Sequence, residues 1–135
     1  MTDALHSRLS EIQRACEALA SEIHGELTER QRARVAEIHA CVGDLTNTLS
    51  LYEVASAVPE MSHGDPRARL VYAARTPLAM IEMATRLLTV AHLRQGETLT
   101  YQQQKLVMAI EAAAHKMIEE TEGLWRSAQV KKEEA

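Results

Sequence analysis

The stretches Leu27-Thr28-Glu29-Arg30-Gln31 and Leu99-Thr100-Tyr101-Gln102-Gln103 carry one signal twice: each sets a threonine three residues before a glutamine. That spacing is a capping box. The threonine oxygen accepts the backbone N–H of the third helical residue, and the glutamine side chain reaches back to the threonine's own N–H. Gly25 stands just before the first box and Gly96 just before the second, so each box opens a helix directly after a break.

Working outward from the boxes, apolar residues recur at helical spacing in four segments. Leu5, Leu9, Ile12, Cys16, Leu19 and Ile23 form the seam of a first helix. Val35, Ile38, Val42, Leu45, Leu49 and Tyr52 follow the first box as the second seam. Pro59, Gly64 and Pro66 then cluster in a linker, where Asp65 can cap a third helix with Pro66 at its first position. That helix carries Leu70, Ala74, Leu78, Ile81, Thr85 and Leu88, and Met80, Met83 and Leu87 widen its apolar face, which predicts deep packing. The last seam is Val107, Ile110, Ala114, Met117, Thr121 and Leu124. The predicted helices cover residues 4–24, 28–57, 66–95 and 100–128.

The halves correspond. With the boxes aligned, Ile38 falls on Ile110 and Leu45 on Met117. A lone helical hairpin leaves its apolar faces wet, so two must associate. The expected fold is all-α, a four-helix bundle of two tandem antiparallel helical hairpins in one domain over residues 1–135. Hairpin one covers 3–57, the linker 58–65, hairpin two 66–128, and a fraying tail 129–135.

Composition agrees with a packed helical chain. Of 135 residues, 46% are hydrophobic and 25% charged, Phe is absent, and Gly and Pro are few. The formal charge of −4 argues against a nucleic-acid partner, which draws on clustered cations. Arg30, Arg32 and Arg34 form the densest basic run, but Glu29 and Glu37 flank it, the pattern of a solvated helix face. Residues 1–11 hold no apolar core of a signal peptide, and no stretch reaches the roughly 20 apolar residues of a membrane span. The expectation is a cytoplasmic protein without a membrane partner. Cys16 and Cys41 fall on the two arms of one hairpin, about 9 Å out of step along the axes. A disulfide needs Cα atoms within about 7 Å, so two buried thiols are expected.

Tyr72-Ala73-Ala74-Arg75-Thr76-Pro77-Leu78 resembles the H-box of sensor histidine kinases, usually written H-E-L-R-T-P-L, with Arg75 to Leu78 matching at consecutive positions. The family often opens its second helix with Leu-Thr-x-x-Gln, as both halves do here. Residues 67–125 carry the stronger likeness to that family's dimerisation and phosphoacceptor domain. Residues 3–54 carry a fainter one, with Asp3-Ala4-Leu5-His6-Ser7-Arg8-Leu9 in the H-box place. The departures bear on chemistry. The phosphoacceptor histidine falls on Tyr72 and on Asp3, neither of which can form a phosphohistidine, and its acidic neighbour falls on Ala73 and Ala4. Thr76 resembles the family's second phosphatase residue but lacks that partner. No Gly-rich loop or metal-binding Asn/Asp set for ATP is present. The resemblance therefore implies a bundle that is not an enzyme and takes no cofactor. Its partner would be a response-regulator receiver domain or a histidine kinase, and its working state a monomeric intrachain pseudo-dimer or a homodimer. The implied partner-binding residues are Tyr72, Arg75, Thr76, Met80 and Met83. Pattern alone leaves open whether the methionines face the core or the partner.

Other chemistry reads as weaker. His39-Ala40-Cys41-Val42-Gly43 has the histidine-to-glycine spacing of phosphotransfer proteins, with Val42 where those usually carry lysine, so phosphotransfer through a histidine outside the H-box stays an alternative. A purely structural or oligomerisation bundle is another. His6, His24, His92 and His115 read as partly exposed helix residues. Glu111 and His115 share a helix face, Glu60 and His63 share a spacing within the linker, and neither makes a metal set. Met80, Met83, Met108 and Met117 read as adaptable core filling rather than a soft-metal site. Thr76-Pro77 could start a helix, but residues 67–74 are good helix formers with no breaker, which predicts one continuous helix through Pro77.

Overall fold

Each helix opens at the cap its sequence supplies. In the computed structural model, which describes residues 2–58 and 64–134 (the last four as backbone alone), the chain forms α1 (Thr2–Ala20), α2 (Glu29–Ala57), α3 (Pro66–Arg94) and α4 (Tyr101–Glu134). No strand occurs among the described residues. Pro59 and the Glu60/His63 spacing lie outside them. Thr28 Oγ1 accepts Gln31 N at 3.1 Å while Gln31 Oε1 accepts Thr28 N at 2.8 Å. Thr100 and Gln103 repeat the pair at 3.2 and 2.9 Å. Asp65 accepts Arg67 N at 2.9 Å, with Pro66 in the first turn. The third helix runs unbroken through Pro77, which is buried.

Two helix ends differ from expectation. The first helix stops at Ala20 rather than near residue 24, because the N–H of Glu22 turns back to Leu19 O and Glu22 adopts a positive φ of 58°. From there its carboxylate accepts Leu27 N at 2.6 Å and the Arg32 guanidinium at 2.9 Å. The Arg32 hydrogen bond, ahead of the Leu27 N–H, holds the Glu22 carboxyl below its ordinary range. Ile23, expected in the seam, is consequently 72% exposed, and Leu27 is buried instead. At the other end, α4 continues to Glu134 where fraying was expected from residue 129. Gln129, Lys131, Lys132, Glu133 and Glu134 are good helix formers with no breaker among them.

The helices pack in a ring, α1 against α2, α2 against α3, α3 against α4, and α4 against α1, with no close contact across either diagonal among the described residues. All other expected seam residues are buried in one core, in which Ile12, Ile38, Ile81 and Ile110, one per helix, are wholly inaccessible. Met80, Met83 and Leu87 are the second correction: all three are exposed rather than packed. Leu78, Ile81, Ala84, Thr85 and Leu88 already fill the inward sector of α3, so residues two positions off it point outward.

Both turns lie at one end of the bundle and are locked to each other. Having capped its own helix through Oε1, Gln31 donates from Nε2 to Glu97 O at 2.9 Å and Thr98 O at 3.3 Å. Gln103 likewise donates to Gly25 O at 2.8 Å. Thr28 Oγ1 donates to Glu97 Oε1 and Thr100 Oγ1 to His24 O, at 2.8 and 2.9 Å. Glu97 and Gly25 hold corresponding places, so the bonds from the two glutamines are the same contact made twice, once from each hairpin to the other. Both glutamines are buried. Gly25 is required here: its φ is 143°, and a Cβ would lie 2.9 Å from Thr100 Cγ2 and 3.2 Å from Gln103 Nε2.

Candidate functional site

Because α3 turns its seam inward, its remaining residues form an outer ridge. Tyr72 is 78% exposed, Met80 48% and Met83 56%, and Thr76 is also exposed. Leu87 and Val90 prolong the ridge at spacings of four and three. The expected site residues thus lie on one face, but on different edges of it. Arg75 turns toward α4, where its guanidinium lies 5.8 Å from the Trp125 ring centroid, within cation–π range. Ala79 and Glu82 continue that edge along a groove whose α4 wall includes Ile118 and Glu122. Met80 sits one heptad from both Ala73 and Leu87, which line the groove shared with α2. Tyr72, Thr76 and Met83 occupy the crest.

Pro77 lies on the buried side of α3. Lacking an N–H, it leaves the Ala73 carbonyl without its helical donor, two residues before Arg75, whose side chain turns to the other edge of the helix. Trp125, Val90 and Leu51 are absent from the residues implied by the sequence, where Leu87 was assigned to the packed face and Arg30 to a solvated one. The Leu87 and Val90 spacing was visible in the sequence, whereas Trp125 meets Arg75 only through packing of α3 on α4.

The remaining candidates are dispersed. His39 is exposed beside the α1–α2 groove, with Ala36, Val35 and Arg32. His6 Nε2 lies 2.6 Å from Glu53, and His115 pairs with Glu119 at 3.3 Å rather than with Glu111. His92 Nδ1 accepts Leu99 N at 2.8 Å and braces the α3–α4 turn, which requires that nitrogen to be unprotonated. Cys16 and Cys41 are free and buried. Burial pushes the Cys16 thiol up to about 11, with Glu17 adding to the effect, and raises Cys41 as well. No group of three or more His, Cys, Asp or Glu residues suited to a metal occurs among the described residues. Nor is any helix among them long and apolar enough to cross a membrane. No family model, curated protein or solved structure matches this chain.

Proposed function

We propose that this bundle is a non-catalytic regulator of two-component signalling, binding a response-regulator receiver domain or a histidine kinase through the outer face of α3. One observation supports the reading above the others. Tyr72, Thr76, Met80 and Met83 stand exposed in line on the helix that carries Arg75-Thr76-Pro77-Leu78, the segment resembling the H-box. Surfaces used for recognition commonly combine such an apolar crest with an arginine, and methionine adapts to the partner's shape. Tyr72 in the acceptor position removes phosphotransfer from that face and leaves its binding surface in place.

The test is direct titration calorimetry of the purified chain against isolated receiver domains and kinase bundles from the same cell. At least one should bind saturably. Arg75→Glu should weaken that complex by about 1–3 kcal/mol, the range for a lost charge-assisted contact. Failure of every receiver and kinase to bind would remove the reading. Incubation with labelled ATP and magnesium should leave the protein unlabelled. Acid-labile, base-stable phosphate taken up from a phosphorylated receiver would establish the phosphotransfer alternative instead.

A further inference from the structure

The bundle's exposed large apolar residues are unevenly placed. Among the described residues α3 exposes the most, among them Tyr72, Met80, Met83, Leu87 and Val90, and α2 adds Leu51 and Val54 beside them, while α4 exposes Tyr101, Met108 and Val130 and α1 none. Contiguous apolar surface on a small protein marks a place of contact. The two halves also treat their equivalent grooves differently. At the sequence separation that relates Thr28 to Thr100, Thr48 and Met80 correspond to Glu120 and Arg8. Between α1 and α4, Arg8 Nε donates to Glu120 Oε1 at 3.2 Å and spans the groove. Between α2 and α3 the corresponding places hold a threonine and a methionine, and no ion pair bridges these two helices among the described residues.

Charge indicates what fits there. On a chain of formal charge −4, α3 carries Arg67, Arg69, Arg75, Arg86 and Arg94 against one acid, Glu82. Arg30 and Arg34 line the α2–α3 groove beside Leu87 and Val90 at its turn end, where Glu97, which accepts from Thr28 Oγ1 at 2.8 Å, is the acid in the lining, and Arg69 lines it beside Leu51 and Ala73 at the other. The acids on that edge of α2, by helical spacing, are Glu37, held by Arg34 at 2.9 Å, and Asp44, both toward its middle. The groove therefore combines an apolar lining at both ends with an excess of arginines over acids there. A second copy presenting this face would bring like charges together. A nucleic acid would leave the apolar ridge in water. An amphipathic helix matches both features, its apolar residues lying along a ridge that runs about 27 Å from Tyr72 to Val90. Carboxylates near its two ends would meet the arginines.

We propose that the α2–α3 groove binds an acidic amphipathic helix of another protein. The proposal rests on the reading that this bundle works by binding, and it requires no receiver domain. The probe is a fluorescein-labelled amphipathic peptide of about five turns with leucine at helical spacing and glutamates toward both ends. A second peptide carries lysine in place of each glutamate. With the full chain, fluorescence anisotropy should show saturable binding of the glutamate peptide and at least tenfold weaker binding of the lysine peptide. Leu87→Glu, and Arg30→Glu combined with Arg69→Glu, should each weaken the glutamate peptide at least tenfold while circular dichroism and the thermal melt stay unchanged. Met108→Glu, on α4, should leave binding intact.

Equal binding of both peptides, no saturable binding, or wild-type affinity in the groove variants would overturn the proposal. Vesicles of phosphatidylcholine with phosphatidylglycerol that capture the chain when the glutamate peptide does not would make this a membrane-facing surface and overturn it as well. So would a dimer in sedimentation equilibrium that Leu87→Glu dissolves. Peptide binding without any receiver or kinase binding retires the two-component reading alone. Receiver binding that persists in Leu87→Glu, together with failure of the peptide, retires the groove alone.

Discussion

At the scale of single residues, the side chains with most structural consequence are Gln31 and Gln103. Each satisfies its own helix's capping N–H and, with the other end of the amide, carbonyls on the opposite hairpin. Removing either amide loses a cap, worth about 1 kcal/mol, and leaves buried polar groups unpaired at about 1–3 kcal/mol more. Gln103→Ala is therefore expected to destabilise the fold by about 2–4 kcal/mol in urea denaturation, and Gln31→Ala by a similar amount. A loss below about 0.5 kcal/mol would mean that water replaces the amide without penalty. The thiols offer a second check at this scale. Cys16 is wholly inaccessible, donates to Val35 O at 3.5 Å, and has its thiol pushed up to about 11, so almost no thiolate is present at pH 8. Both cysteines should resist a thiol-specific disulfide reagent in the native protein and react promptly in urea; fast native labelling would require opening of the α1–α2 hairpin. The capping glutamines were legible in the sequence as caps. Their second bonds were not, because spacing along one helix says nothing about a carbonyl across the bundle.

At the scale of the helix, α3 and its neighbours are not optimised for stability alone. Gly43 in α2 and Gly123 in α4 have helical backbones, and a Cβ at either would meet nothing within 4 Å. Alanine at each should therefore stabilise the fold by about 0.5–1 kcal/mol, by narrowing the unfolded ensemble and favouring the helix. Two thermal melts decide it, and a lowered midpoint would mean these positions carry a contact that the isolated chain does not show. For α3, periodicity identified the helix and its inward seam correctly but assigned Met80, Met83 and Leu87 to the packed face. A helix at a corner of a four-membered ring has neighbours on two sides only, so a broad apolar face cannot all be covered. Arg75 behaves differently again. Its stacking on Trp125 means that Arg75→Glu should also cost the fold about 0.5–1 kcal/mol, besides any effect on a partner.

At the scale of the whole molecule, the chain behaves as two hairpins that complete each other. Each contributes half of one core, and each turn supplies carbonyls to the other's capping glutamine. Fragments 1–58 and 64–135, made separately, are expected to show weak helicity or self-association, and mixing them in equal amounts should restore the helical circular dichroism and melting transition of the intact chain. Two fragments that each melt cooperatively as monomers, with no change on mixing, would show the hairpins to be independent. Without the interhairpin core, the apolar area each would leave in water exceeds what a single antiparallel pair can bury.

The sequence by itself determined the number of helices, their caps, their inward seams and the correspondence of the two halves. Those features are local or periodic: a capping box closes within four residues, and a seam is set by the helical repeat. Only the tertiary structure decided that Glu22 ends α1 and exposes Ile23, and that each capping glutamine bridges to the other hairpin. It also decided that Trp125 lies under Arg75, and that the groove between α2 and α3 stays open where Arg8 and Glu120 span its counterpart. The Glu22 turn is closed by neighbours within ten residues, whereas the others depend on which helices become neighbours and on which flank they meet, and that choice is made by packing between segments far apart in the chain.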